Sequence, residues 1–445
     1  MRDTIRKLEE RSRELDPGPD QRRRYFEQVS EYAEALLERL SAADTFVADE
    51  GRRGLAPSRF DEEPTPFSEL LVEYRLEVDT TGILPSSGGQ MGYIPGGVLF
   101  PAALGDFLAA VSNRYSGVAY AGPGAAEMEA SLLGWMARLV GYPDSSAGDL
   151  TSGGSLATLS AVVAARDAHE IEPTDISRTC LYHTRQAHHC IDTALHVAGL
   201  GAVRRRHVPM DDRFRMVPAA LRSALEEDRR SGLEPWLVVA SAGTTDTGAV
   251  DPIEEVAEVC RAFGAWFHLD AAYGGFFRLC DEVRDRMKGM ELADSIVMDP
   301  HKGLGLPYGT GAVLVRNGAN LARSFRYYAD YMQDAIPPQP DAAEPYSPAN
   351  YSVELTRHFR GPRLWFPLTL FGLAPFRASL SEKVWLARYF HREIAGVKGF
   401  EVGPQPDLSI VTFRYRPSRG DEETCNRRLL QAVHDDGRVF ITSTR

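Results

Sequence analysis

From about residue 150 to residue 316 the chain alternates short apolar runs with helical patterns, and few folds accommodate that alternation. Thr179–His183, Trp236–Ser241, Trp266–Asp270, Ser295–Asp299 and Ala312–Arg316 read as strands; Ser155–Asp167, Ile191–Val197 and Ile253–Phe263 read as helices. Strands that are apolar along their length and separated by helices predict an α/β fold, a mainly parallel sheet covered by helices on both faces. Ligands of such sheets collect at the carboxyl ends of the strands. Asp270 and Lys302 both fall there.

Lys302 closes the stretch Ser295-Ile296-Val297-Met298-Asp299-Pro300-His301-Lys302. The chain holds five lysines (Lys7, Lys288, Lys302, Lys383 and Lys398) against 45 arginines, the remainder of 50 basic residues. Where arginine is so strongly preferred for a plain positive charge, a lysine beside a buried strand points to a need for an amine. Arginine cannot give up its proton, whereas a desolvated lysine can and then attacks carbonyls. A lysine snorkelling from a strand end fits the same residues.

Three other stretches carry chemistry. Asp270 ends an apolar strand in Phe267-His268-Leu269-Asp270-Ala271-Ala272-Tyr273-Gly274, and a buried carboxylate needs a partner. A protonated pyridine nitrogen supplies one, and so does a backbone or arginine donor; Ala271, Ala272 and Gly274 leave room for a flat ring. Thr151-Ser152-Gly153-Gly154-Ser155 opens a helix, where backbone N–H groups and the helix dipole suit a phosphate, although the same residues make a plain capped start. Gln186-Ala187-His188-His189 puts an imidazole after a strand, able to stack on an aromatic cofactor or act as an acid.

The net charge of −12 excludes general nucleic-acid binding, and the clusters Arg22–Arg24 and Arg204–Arg206 read as solvated faces. Five widely spaced cysteines without a CxxC argue for a reducing compartment and against a disulfide framework or structural zinc. No apolar leader and no membrane-length run occurs, so the expectation is a cytoplasmic protein with no membrane partner and no metal. The glycine-rich loop Gly88–Gly97 does not follow a strand, which disfavours a dinucleotide-binding reading. Residues 1–100 read as a helical segment able to pack on a partner chain, with helices over 1–15, to about Leu40 and over Phe67–Tyr74. Phe100–Ser112 and Ala125–Val140 are helical patterns within a large domain over 101–360. Residues 327–352 read as a mobile loop. A small α+β domain over 361–445, with helices Trp365–Phe376 and Leu380–Ile394 and a strand Leu408–Tyr415, reads as incomplete because it stops just after the strand-like Val439–Ile441. Pro367 fits a helix only in its opening turn.

Taken together, Gly-Tyr-Ile-Pro (92–95), Thr-Ser-Gly-Gly-Ser (151–155), Gln-Ala-His (186–188), Gly-Thr-Thr (243–245), His-Leu-Asp-Ala-Ala-Tyr (268–273) and Asp-Pro-His-Lys (299–302) resemble the pyridoxal-phosphate-dependent group II amino acid decarboxylases, the family of the aromatic-amino-acid and glutamate decarboxylases. Phe359–Trp365 resembles the segment after that family's catalytic loop. The resemblance runs from about Leu40 to the end of the chain, and motifs in this order are very specific. It implies an aspartate-aminotransferase-like (fold type I) enzyme that binds pyridoxal 5'-phosphate and removes CO2 from an L-amino acid. It implies that Lys302 holds the cofactor through its amine, Asp270 pairs with the ring nitrogen and His188 stacks on the ring. Gly154, Ser155, Asp299 and His301 would sit at the phosphate, Thr245 and Ala272 against the ring, and Tyr93 in the substrate pocket. The proton returned to the substrate would come from a loop tyrosine, Tyr331 by its placement after Phe325-Arg326, with Tyr346 and Tyr351 further along. The family implies a homodimer with shared active sites. Two departures stand out: past Tyr331 the loop is only loosely like the family's, and the final strands, where the family often places an arginine for the substrate carboxylate, are missing. Tyr93 and Tyr120 favour an aromatic or bulky apolar substrate over an acidic one. An aldehyde synthase, a carbon–carbon lyase or a non-catalytic homologue on the same fold are the alternatives.

Overall fold

The structure, a computed structural model, describes residues 1–40, 42–49, 64–326 and 345–444. They form two compact units, Met1–Tyr93 with Arg427–Arg445, and Ile94–Asn426.

In the first unit, helix α1 (Arg2–Ser12) gives way to a short 3-10 turn, and the Asp16–Asp20 break starts α2 (Pro19–Arg39) with proline at its first position. There the missing N–H costs nothing, because the first helical donors have no partner anyway. Helix α3 (Phe67–Glu77) packs on α2 through Tyr25 against Phe67 and Tyr32 against Tyr74, with ring centroids 4.6 and 6.1 Å apart. A small antiparallel pair, β1 (Phe46–Val47) and β2 (Gly82–Ile83), and a bridge between Gln90 and Phe440 complete its regular pairing among the described residues.

The second unit opens with α4 (Phe100–Ser112) and α5 (Pro123–Val140). Then follow β3 (Ala147–Thr151), α6 (Gly154–Ala168), β4 (Thr179–His183), α7 (Cys190–Val197), β5 (Arg204–His207), α8 (Pro218–Arg230), β6 (Glu234–Ser241), α9 (Ile253–Phe263) and β7 (Trp266–Asp270). The order continues through β8 (Ser295–Met298), α10 (Pro300–Gly303), β9 (Gly311–Val315), α11 (Gly318–Phe325), α12 (Gly361–Phe371), α13 (Leu373–Ala395), β10 (Phe400–Val402) and β11 (Phe413–Tyr415); α14 (Glu422–Asp436) starts in this unit, and from Arg427 on it belongs to the first. Seven strands make one sheet in the order β3-β9-β8-β7-β6-β4-β5. β8, β7, β6, β4 and β5 run parallel, and β9 is antiparallel to both β8 and β3. Both faces are buried. On β7, Phe267 and Leu269 enter one apolar cluster with α5, α8 and α9, while Trp266 enters the other with α6 and α7. The alternation of side chains along a strand produces this division.

Two strands lacked an apolar signature. β3 carries Asp149, buried at 1% exposure and ion-paired with Arg357. β5 is the basic run Arg204–Arg206, an edge strand in which Arg205 bonds Asp192 at 2.6 Å and Arg206 reaches both oxygens of buried Asp228. The helical boundary expected near residue 377 falls instead at Gly372, which takes a left-handed φ of 66° and separates α12 from α13. α12 starts at Gly361 with Pro362 in its first turn, so Pro367 lies inside the helix rather than in its first turn, and no N–H closes the bond to the Arg363 carbonyl. The strand expected from Leu408 begins only at Phe413. No helix of the described residues is long and apolar enough to cross a membrane.

Candidate active site

β8 ends at Met298 and the chain turns at once into the four-residue α10. Asp299 caps that turn, its carbonyl accepting from the N–H groups of Lys302 and Gly303 at 2.9 and 3.2 Å. The turn returns the Lys302 amine onto Asp299, with Nζ 2.9 Å from Oδ2. The Asp299 side chain is 1% exposed and that of Lys302 25%. Burial disfavours the ammonium, but Asp299, with Asp270 adding to it, more than offsets this and holds the amine above the ordinary lysine range. The sequence argued for an amine that desolvation deprotonates; Asp299 keeps it charged instead.

Asp299 is wedged between glycines. A Cβ on Gly154 would lie 2.8 Å from Oδ2, and one on Gly311 2.7 Å from Oδ1. Oδ1 is buried without a hydrogen-bond partner among the described residues. His301, next in the turn, directs Nδ1 to the Thr310 carbonyl at 2.5 Å and stands 3.8 Å from Asp299 through Nε2. Burial lowers its pKa, so the imidazole is neutral near pH 7. Thr310 is steadied from behind by Arg363, which donates to its hydroxyl at 3.2 Å, to the Tyr308 carbonyl at 2.7 Å and to Asp106.

Asp270 closes β7 with Oδ1 accepting from the Ala272 N–H at 3.1 Å. Its second oxygen accepts no hydrogen bond among the described residues. Of the three small residues after it, Ala272 lies beside Gly154, whereas Ala271 is in the core and Gly274 abuts the Ala242 carbonyl. The smallness of those two serves packing, not a ring. His188 follows β4; its Nδ1 accepts from the Cys190 N–H at 3.2 Å, and Nε2 has no hydrogen-bond partner among the described residues. Burial lowers its pKa first, Asp270 pulls it up, and His189 and Lys302 push it down. Lys302, Asp270, Asp299, His188 and Cys190 are therefore one electrostatic cluster.

Helix α6 begins beside this cluster. Its first closing bond runs from the Ala157 N–H to the Gly153 carbonyl at 3.1 Å, so the N–H groups of Gly154, Ser155 and Leu156 have no acceptor among the described residues. Three free donors at the positive end of a fifteen-residue helix make an anion site. An anion site, a free carboxylate oxygen on Asp270 and an amine on Lys302 match the phosphate, ring nitrogen and aldehyde of pyridoxal 5'-phosphate. Gly311 supports the arrangement from beneath without carrying a motif. Gly311→Ala is expected to cost about 1–3 kcal/mol through overpacking, and to weaken cofactor binding by the apoprotein. Melting curves and cofactor titration check this, with Gly124→Ala, where a Cβ meets nothing within 4 Å, as the neutral control.

The remaining expected residues are not all in the cluster. Ser155 and Thr245 are exposed, Thr245 on the loop tied by the Thr244–Thr247 hydroxyl pair at 2.8 Å. Tyr346 stacks on Tyr351 with centroids 5.3 Å apart and donates to the Gly148 carbonyl at 3.1 Å. It belongs with the buried group Glu129, Asp149 and Arg357. Burial, then Asp149 and Glu129, hold its hydroxyl well above the usual tyrosine range. Tyr93, in the first unit, has a left-handed φ of 57°, is 65% exposed and sits 5.9 Å from the Phe440 ring. Tyr331 lies outside the described residues. Thr310, Arg363, Gly311 and Cys190 were missed, since each acts through a carbonyl, a close approach or a distant pairing.

Residues 50–416 match the family described as the pyridoxal-dependent decarboxylase conserved domain. An aromatic-L-amino-acid decarboxylase of Bacillus atrophaeus is 33% identical over 358 residues, 80% of this chain and 74% of that protein. The solved structure of Oryza sativa TDC with PLP and tryptamine has a TM-score of 0.87 at 27% identity, covering 97% of this chain and 92% of that one. A Rhodiola rosea 4-hydroxyphenylacetaldehyde synthase shares the fold, with a TM-score of 0.86 at 23% identity over 96% and 91% of the two chains.

Proposed function

Because the chain belongs to the pyridoxal-dependent decarboxylase family, we propose that it converts an aromatic or bulky apolar L-amino acid to the amine and CO2. That it is a pyridoxal 5'-phosphate-dependent carboxy-lyase of fold type I follows from the family match and the solved relatives. The substrate class rests on the relatives, among them an aromatic-L-amino-acid decarboxylase and a structure with tryptamine.

The observation that carries the reading is the convergence of Lys302, Asp270 and the open N-terminus of α6. The cofactor supplies an aldehyde for amines and a ring that takes up the electrons released when the Cα–carboxylate bond breaks. Lys302 would hold the cofactor through its side-chain amine. Asp270 would offer its carboxylate to the ring nitrogen and favour that nitrogen's protonated form. His188 would stand against the ring. Gly154 and Ser155 would hold the phosphate through main-chain N–H groups, with His301 and Asp299 beside them, and Ala272 and Thr245 would face the ring. Asp299 keeps the amine charged until it is needed. The proton returned to Cα is assigned by resemblance to Tyr331; Tyr346 has its hydroxyl committed to Gly148.

Incubation with each standard amino acid and measurement of CO2, amine and aldehyde tests this reading. Amine and CO2 in equal amounts from tryptophan, tyrosine or phenylalanine are expected. Release from glutamate or aspartate alone would overturn the substrate class, and aldehyde with ammonia would move the chain to the synthase reaction. Phe107, Leu108 and Val111 on α4, with Trp365, Leu370 and Phe371 on α12, are apolar side chains exposed by 39–67%. Such a patch marks an interface, and a homodimer is the proposed occupant; sedimentation at micromolar concentration checks it. All five cysteines are unpaired, which supports a cytoplasmic location.

A further inference from the structure

The side chains around the N-terminus of α6 carry more negative charge than positive. Lys302 brings one positive charge, against the carboxylates of Asp299 and Asp270. Asp299 lies against the helix start: a Cβ on Gly154 would stand 2.8 Å from its Oδ2. Its Oδ1 is buried without a hydrogen-bond partner among the described residues. A phosphate ester adds about −1.5 to −2 at neutral pH. The backbone N–H groups and the helix end answer it with partial charge only.

His301 is placed to supply the missing positive charge. It packs against the same turn, its Cε1 3.6 Å from where a Cβ on Gly153 would be. Its Nδ1 lies 2.5 Å from the Thr310 carbonyl, which can only accept, so Nδ1 carries a proton. In the neutral ring Nε2 is then a bare acceptor. It makes no hydrogen bond among the described residues and stands 3.8 Å from Asp299 Oδ2. A lone pair offers nothing to a carboxylate or a phosphate, whereas a second proton makes Nε2 a cationic donor to both. The other groups facing the imidazole are Lys302, Tyr308, whose ring centroid is 5.8 Å away, and Arg363 on α12, which is committed to Asp106. Burial outweighs the pull of Asp299 and keeps the ring neutral. The second proton therefore waits for an anion that adds its own attraction.

We propose that His301 takes up a proton at Nε2 when a phosphate-type dianion occupies the N-terminus of α6, so that cofactor binding and protonation of this imidazole favour each other. This rests on the placement of the cofactor phosphate at α6 given above. The balance is one proton from solvent for each dianion bound, and the N–H is the bond that forms. Affinity is then highest below the pKa of the free imidazole. It falls by up to about tenfold per pH unit until the pH passes the pKa of the complex.

Sulfate is the probe, because it stays a dianion throughout and takes up no proton itself. The apoprotein is titrated with sulfate by calorimetry between about pH 6 and pH 8.5, in buffers of small and large ionisation enthalpy. Near neutral pH roughly half to one proton should enter per sulfate, with affinity falling about three- to tenfold per pH unit. In His301→Gln the uptake should vanish, and affinity should vary less than about twofold over the same range. Nitrogen-15 spectra of the histidines in the parent, with and without sulfate, give a second measurement that needs no variant: one imidazole should pass to the doubly protonated form. The proposal is overturned if the parent does not bind sulfate or binds it without uptake. It is equally overturned if uptake survives in a His301→Gln that melts like the parent, or if no imidazole changes form. Displacement of sulfate by pyridoxal 5'-phosphate reports on the underlying placement. Sulfate that stays bound beside the cofactor removes the phosphate from α6, whereas sulfate displaced without proton uptake removes only this inference.

Discussion

Lys302→Ala is expected to reduce turnover on the order of 10⁴-fold, the scale seen when a covalent catalytic group is deleted, and to remove the visible absorbance of the bound cofactor. It should also destabilise the apoprotein, which separates the variant from a simple loss of chemistry. Lys302 and Asp299 pair at 2.9 Å with the carboxylate 1% exposed, so the alanine leaves a buried charge without its partner. After allowance for the partial exposure of the amine, the cost is roughly 1–3 kcal/mol. The amine is held above its ordinary value of 10.5, so this contribution is complete at neutral pH and is lost only as pH rises through the folded value. Lys302→Ala with Asp299→Asn removes the unpaired charge and should regain most of that stability while recovering no activity. Melting at pH 7 together with CO2 release decides it. Full activity in Lys302→Ala would end the assignment of the amine. Equal stability of the single and double variants would show that Asp299 finds another partner.

The residues that sequence made legible share a physical property: each sits where an apolar strand stops. Asp270 and Lys302 stand out because an ionisable group ends or follows a buried run, and the parallel arrangement of β7 and β8 brings both strand ends to one side. Strands β4 and β7 and helix α9 appear with the limits their patterns suggest, because continuous burial leaves a continuous apolar record. β3 and β5 left no such record, since Asp149 and Arg206 are satisfied by partners far along the chain, Arg357 and Asp228. The same applies within the site. The contact between His268 and Ser295 runs across β7 and β8, and the support of His301 depends on Thr310 and Arg363. No local pattern encodes a hydrogen bond between residues 27 or 53 positions apart. Asp299, Pro300 and Lys302 stand close together in the sequence, yet the return of the amine onto the carboxylate is not legible there either, because it depends on the tight turn that follows β8.

Asp270→Asn is expected to lower kcat by about 10²–10³-fold, the usual cost of removing one preorganised electrostatic partner of the reacting group. The fold should survive, because the asparagine oxygen can still accept from the Ala272 N–H, a bond of 3.1 Å in the parent. What is lost is the negative charge. The amide could still place an oxygen near the ring nitrogen but would no longer favour that nitrogen's protonated form. KM for the amino acid should change little if the carboxylate serves the cofactor, as proposed, and not the substrate, so the loss would fall on kcat and on cofactor affinity. Asp270→Glu keeps the charge but lengthens the side chain, and the depth of the site beneath Ala272 decides its effect. Partial recovery, above the asparagine variant and below the parent, separates charge from reach. Stopped-flow absorbance with steady-state rates makes the comparison. A drop in kcat/KM carried wholly by KM would place Asp270 in the substrate pocket and return the ring nitrogen to a different partner.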